Sequence, residues 1–190
     1  LHRLDYLRGF ENYLLDLVEA PERAEWLLDG IFTFLNGVTE QFARCGADAV
    51  FWLDDQATQS GPLFSMQIWR ALFAPRYRAL CDHIHALGMT AYMHTCGNLS
   101  QHLEDLVSCG IDIIDNKQPA AWMDAPAAAR VRGKVTFSTC IDIQTTIHAI
   151  ALDDIERDVE RLVRTLSTPE GGFIATYYHQ PDLDLPQDKV

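Results

Sequence analysis

One unit recurs along this chain: an amphipathic helix, a glycine, a short apolar run, then a cluster of polar residues. Residues 6–19, "YLRGFENYLLDLVE", carry apolar residues at helical spacing, and Pro21 then opens a second helical stretch that runs to Gly46. Proline suits a first helical turn and glycine a helix C-terminus. "DAVFWLDD" follows, too short and too rich in Val and aromatics for a helix, so it reads as a buried strand. The unit returns as a helix over about 66–87 with Gly88 and "MTAYMHT", then as a helix over 100–108 with Gly110 and "IDIIDN". It returns again as a helix over 125–131 with "KVTFSTC", and as "LDDIERDVERLVRTL" with "GGFIATYY". Helices alternating with strands that are apolar on both faces imply a parallel sheet covered by helices.

The polar clusters choose among parallel sheets. Asp54 and Asp55, His94 and Cys96, Asn116 and Gln118, Cys140 and Asp142, and His179 each follow a strand. A (β/α)8 TIM barrel builds its site from those C-terminal ends, drawing on many strands. A doubly wound sheet concentrates its site at one crevice and usually carries a glycine-rich phosphate turn. No GxGxxG or P-loop pattern occurs. The chain therefore reads as one domain over 1–190, the last five β/α units of an α/β barrel, with about three strands expected upstream. Leu1 opens inside a helical pattern and Val190 closes on what reads as the start of another helix, as a fragment would. Five strands cannot close a barrel, so exposed sheet edges are expected.

Charge narrows the partners. A net charge of -12 and a pI near 4.8 argue against nucleic acid and anionic membranes, which need a basic footprint. No run approaches the ~18 apolar residues of a membrane span. The five cysteines, Cys45, Cys81, Cys96, Cys109 and Cys140, are odd in number and scattered, which fits a reducing cytoplasm better than a disulfide scaffold.

His94 and Cys96 stand two apart on a strand, so both side chains point to one face. Imidazole and thiolate make half of a zinc site, which needs three protein ligands if catalytic and four if structural. Cys140 and His179 could supply the third, with Asp54 or Asp55 as oxygen donors. The spacing alone favours the plainer alternative, in which His94 hydrogen-bonds a neighbouring strand and Cys96 packs as a small hydrophobe. Asp54 and Asp55, adjacent on extended backbone, point to opposite sides. One should face the barrel mouth as a base, ligand or substrate anchor, and the other should hold the following loop. Asp142 reads best as an N-cap. His179, in a loop rich in Pro and Asp, is a functional candidate. His83, His85 and His102 read as surface or packing residues. Catalytic candidates are Asp55 and His179. Asp54, Gln59, Asn98, Gln118 and Asp142 are the candidates for holding substrate.

Taken in order, "RGFENYLLDLVEAPE", "DDQATQSGPLFS" with "WRALFAPRY", "HTCGN", "GIDIIDNKQP", "FSTCIDIQTT" and "GGFIATYYHQPDLDLP" resemble the uroporphyrinogen decarboxylase superfamily across nearly the whole chain. That superfamily holds uroporphyrinogen decarboxylases and cobalamin-dependent methyltransferases, and the match falls on the C-terminal part of its barrel. The resemblance implies two branches. The decarboxylases are similar at His179 but carry serine where this chain has Asp55, and only Lys117 is cationic at these strand ends. The zinc-dependent methyltransferases carry His-x-Cys and a distant third cysteine. His94 and Cys96 match the first two, and the third position falls on His179, with Cys140 as the other contender. On this resemblance the expected function is zinc-assisted transfer of a methyl group between a corrinoid (methylcobalamin), carried on a corrinoid-binding partner protein, and a thiol or methoxy compound. Uroporphyrinogen decarboxylation is the alternative, and a tetrapyrrole-binding barrel without turnover is a third.

Overall fold

A computed structural model of the chain describes residues 2–148 and 151–178. Three helices come first: α1 (His2–Arg8), α2 (Phe10–Glu19) and α3 (Pro21–Arg44). The helix expected over 6–19 is divided at Gly9, whose φ of 83° turns the chain between α1 and α2. Then follow β1 (Ala49–Leu53), α4 (Met66–Ile68), α5 (Ala74–Ala86), β2 (Thr90–His94), α6 (Leu103–Ser108), β3 (Ile113–Asn116), α7 (Pro126–Val131), β4 (Thr136–Thr139), α8 (Leu152–Leu166) and β5 (Phe173–Ala175). Between α4 and α5 the backbone widens into a π turn, Trp69–Phe73, just before Pro75, which has no N–H for the helical ladder.

Three of the helix-to-strand passages use the same closure. After α3, Gly46 N–H bonds Ala43 O and Ala47 N–H bonds Phe42 O; after α5, Gly88 and Met89 bond His85 O and Ile84 O; after α6, Gly110 and Ile111 bond Val107 O and Leu106 O. Each glycine has positive φ, between 77° and 95°, and this left-handed residue satisfies the last helical carbonyls while aiming the chain back along the sheet.

The five strands form one all-parallel sheet in the order β1-β2-β3-β4-β5. Val50, Ala91, Met93, Ile114 and Phe137 are buried in the core with Trp69, Phe73, Tyr77, Leu106 and Val131 from the helical side. The opposite face carries Phe51, Tyr92, Asp115 and Ser138. The Phe51 and Tyr92 rings meet edge to face at 4.8 Å, and Tyr92 Oη donates to Ser138 Oγ at 2.7 Å. Among the described residues the sheet is open. Its edges are β1 and β5, and Leu53 on β1 is 61% exposed. No described helix is long and apolar enough to cross a membrane.

The strand-end loops lock together at one tight point. Gly97, at φ 87°, lies so close to the loop after β1 that an added Cβ would stand 2.7 Å from Thr58 O and 2.6 Å from the Ala57 carbonyl carbon. Asn98 N–H bonds Thr58 O at 2.8 Å beside it. Gly97→Ala combines a left-handed backbone cost of about 1 kcal/mol with an overpacking cost of roughly 1–3 kcal/mol. A clear fall in the thermal midpoint is expected, and an unchanged midpoint would show that the two loops are free to separate.

Candidate functional site

The polar residues at the strand ends divide by parity, and the two sets do different work. Asp54, Gln56, Asn116 and Gln118 turn toward the helical side and build the scaffold. Asp54 accepts from Tyr77 Oη and from the backbone N–H of His2, the latter at 2.8 Å. The mouth-facing carboxylate is thus Asp55. Its neighbour Asp54 holds α1 and α5, while the loop after β1 is held by Gln56, which bonds Asp54 O, Tyr77 Oη and Trp69 Nε1. Asn116, fully buried, uses its whole amide: Nδ2 donates to Thr95 O and Gly97 O, and Oδ1 accepts from Gln118 N–H and Trp122 Nε1. Gln118 Oε1 accepts from Gly97 N–H at 2.6 Å.

The other expected substrate-binding residues have local duties too. Asn98 Oδ1 accepts from Ser100 N–H, and Gln59 is exposed on the loop after β1. Asp142 accepts from Gln144 N–H and Thr145 N–H in the turn that precedes the short helical stretch Thr146–His148, and also from Ala120 N–H. His102 is buried with its ring edge-on to Trp69, and burial pulls it down to about 4, so it packs as a neutral ring. Cys81 and Cys109 lie in the core, where burial raises both thiols.

The opposite parity gathers the chemistry. Asp55, His94 and Cys96 bring one carboxylate oxygen, one imidazole nitrogen and one sulfur within 4.8 Å of one another. His94 Nε2 is 3.4 Å from Cys96 Sγ and 3.8 Å from Asp55 Oδ1, and that same oxygen accepts Cys96 N–H at 2.7 Å. Zinc bonds of roughly 2.0–2.3 Å in a tetrahedron place ligand atoms about 3.3–3.8 Å apart, so these spacings fit such an ion with little movement. The donor set, N, S and O, is one that zinc accepts.

Asp115 orients the histidine. It pairs with His94 across β2 and β3, and its Oδ2 lies 2.5 Å from His94 Nδ1. Oδ1 accepts from Lys117 Nζ at 2.6 Å and from Ser138 Oγ at 2.8 Å. Lys117 also donates to Thr176 Oγ1 at 2.7 Å, which carries the network to the end of β5. Burial alone would raise the Asp115 carboxyl, but the bonds from His94, Lys117 and Ser138 outweigh it and hold the group below the usual carboxylate range. Burial alone would lower His94, but the bonds and charges of Asp115 and Cys96 outweigh it and lift the imidazole to about 9. With Nδ1 facing Asp115, Nε2 faces the sulfur and Asp55.

Among the described residues the third donor atom beside His94 and Cys96 is that of Asp55. Cys140 is buried, its thiol pushed up to about 11 by that burial, and it lies outside the group of close donor atoms. His179 lies outside the described residues. Asp115 and His2 were missed in the sequence. For Asp115 the signal was parity: Asp115 and Lys117 share the mouth-facing phase of His94 and Cys96, whereas Asn116 and Gln118 are one residue out of step. The run "IDIIDN" is apolar on both faces and gives no phase by itself.

Comparison with known proteins agrees with this architecture. No curated protein sequence gives a significant match. Among solved structures, 7,8-dihydropteroate synthase from Vibrio fischeri ES114 superposes with a TM-score of 0.50 at 12% identity, over 80% of this chain. The chain spans 57% of that protein's length, and the likeness is one of fold: a partial (β/α)8 barrel. The family sequence model described as Uroporphyrinogen decarboxylase (URO-D) matches residues 4–190. With nearly its whole length matched, the chain belongs to the uroporphyrinogen decarboxylase superfamily.

Proposed function

We propose that this chain carries the metal centre of a zinc-dependent methyltransferase, which moves a methyl group between a corrinoid and a thiol or methoxy compound. The observation that carries the reading is the triplet Asp55, His94 and Cys96, with His94 oriented by Asp115. Zinc held there would supply a Lewis acid that keeps a coordinated thiol in its thiolate form at neutral pH. The chain's own groups prepare that chemistry. Asp115 holds the Nδ1 proton of His94, so Nε2 is the nitrogen turned toward Cys96 Sγ. The Cys96 N–H bond keeps the Asp55 carboxylate turned into the same space. Where the methyl donor is a methoxy compound, its alcohol leaving group takes up a proton, and Asp55 would serve as that proton's donor only when it is not holding the metal. The corrinoid, as methylcobalamin on a partner protein, is the co-substrate of this reading.

Uroporphyrinogen decarboxylation is the alternative, and its substrate with many carboxylates calls for cationic groups. Lys117, the one buried cationic side chain among the described residues, is already engaged by Asp115 and Thr176.

Elemental analysis of the full-length reduced protein tests the centre directly. About one zinc per chain is expected, with His94→Ala and Cys96→Ser each losing it. A protein that takes up no zinc even when it is supplied would overturn the reading and leave decarboxylation or binding without turnover. Metal binding must also displace the proton that His94 holds up to about 9. Apparent zinc affinity should therefore climb as pH rises toward 9, about tenfold per unit for that proton alone, and level off above it. Asp115→Asn removes the charge that lifts His94, so the climb should end at lower pH. Zinc affinity should also fall by about 10- to 100-fold, measured against a competing chelator.

A further inference from the structure

α1 lies at the mouth, where His2 meets the two adjacent carboxylates that follow β1. The backbone N–H of His2 donates to Asp54 Oδ1 at 2.8 Å, and its Nε2 lies 3.5 Å from Asp55 Oδ2. Asp54 itself is held by Tyr77 Oη from α5, so this anchor is part of the buried scaffold. On the other side of the Asp55 carboxylate, Oδ1 accepts Cys96 N–H at 2.7 Å and faces His94 Nε2 at 3.8 Å. The two oxygens therefore have different neighbours: one looks into the donor triplet and the other looks at an imidazole. Both side chains are partly open, at 38% for His2 and 39% for Asp55, so each can adjust without disturbing the core.

The geometry points to His2 as a positioning residue of the centre: its imidazole engages the outer oxygen of Asp55 so that the inner oxygen alone is offered to a metal ion. This rests on the zinc reading above. A carboxylate with both oxygens free can swing to bind a metal through both. One held by a backbone N–H and an imidazole offers a single oxygen, which favours four-coordination and leaves room for a substrate thiol. Metal ligands are oriented by such outer partners, whose loss typically weakens affinity about 10- to 100-fold. The centre then has two of them, Asp115 behind His94 and His2 behind Asp55. His2 reaches the Asp55 end only, because the close donor group contains Asp55, His94 and Cys96 and excludes it.

The test uses the full-length protein loaded with Zn2+ or Co2+, comparing wild type with His2→Ala, His2→Gln and His94→Ala. Zinc affinity is read by chelator competition, and Co2+ coordination from the intensity of its visible absorption. Expected are about a tenfold or greater loss of affinity in His2→Ala and a drop in Co2+ absorption as coordination number rises. Substantial recovery of both is expected in His2→Gln, whose amide N–H can reach the carboxylate. A merely structural loss of α1 docking would lower the thermal midpoint of both His2 variants without that recovery, and would overturn the proposal. Affinity and spectrum unchanged in His2→Ala, with binding lost in His94→Ala, would overturn the His2 role and leave the zinc centre standing. A wild-type protein that binds neither ion would remove the centre and this role with it.

Discussion

The mouth of this sheet depends on one buried carboxylate. Asp115 takes three donors from three strand ends, His94, Lys117 and Ser138, and through Lys117 reaches Thr176 as well. A carboxylate buried without partners would be strongly disfavoured in its charged form; with three donors it stays charged, and its charge governs its neighbours. It fixes which nitrogen of His94 faces the sulfur, and it engages Lys117, the one buried cation among the described residues. The site's chemistry and its mechanical cohesion therefore rest on the same group.

Around this charged column lies a second, neutral layer. Asn116 and Gln118, beside Asp115 and Lys117 in sequence, point the other way and close the loop that presents Cys96. All four hydrogen-bonding positions drawn on by the Asn116 amide are backbone groups or the Trp122 ring N–H, so the loop's buried polar atoms are satisfied without water. Gly97 brings the β1 and β2 loops to within backbone contact, which places Asp55 over Cys96. A donor triplet on loops is usually imprecise; here each loop is tied to a strand end or to the other loop.

The sheet's edges set the frame in which this centre works. Among the described residues β1, which leads into Asp55, is an edge strand with Leu53 and Phe51 substantially exposed, and α1 reaches the mouth beside it. The triplet thus sits at the β1 and β2 ends of the sheet. The Asp115 network extends from it toward β5.

Much of the fold was legible in the sequence. The repeated helix-glycine-strand unit determined five parallel β/α units, because a glycine in the left-handed region ends a helix and an apolar run of five residues has few stable homes other than a covered strand. The pair His94 and Cys96 was legible as well, since a spacing of two on a strand needs no tertiary information to share a face. For a third donor the sequence left Cys140, His179, Asp54 and Asp55 open. Asp55 is 39 residues before His94, and only the pairing of β1 with β2 brings the two together, while Cys140 lies outside the group of close donor atoms. Asp115 was hidden for a related reason: a strand buried on both faces shows no alternation, so its phase is decided by register with its neighbours. Sequence by itself determined the elements and the pair His94 and Cys96. Tertiary structure alone decided which carboxylates face that half, because facing is a property of strand pairing and parity, which the local pattern of a doubly buried strand does not carry.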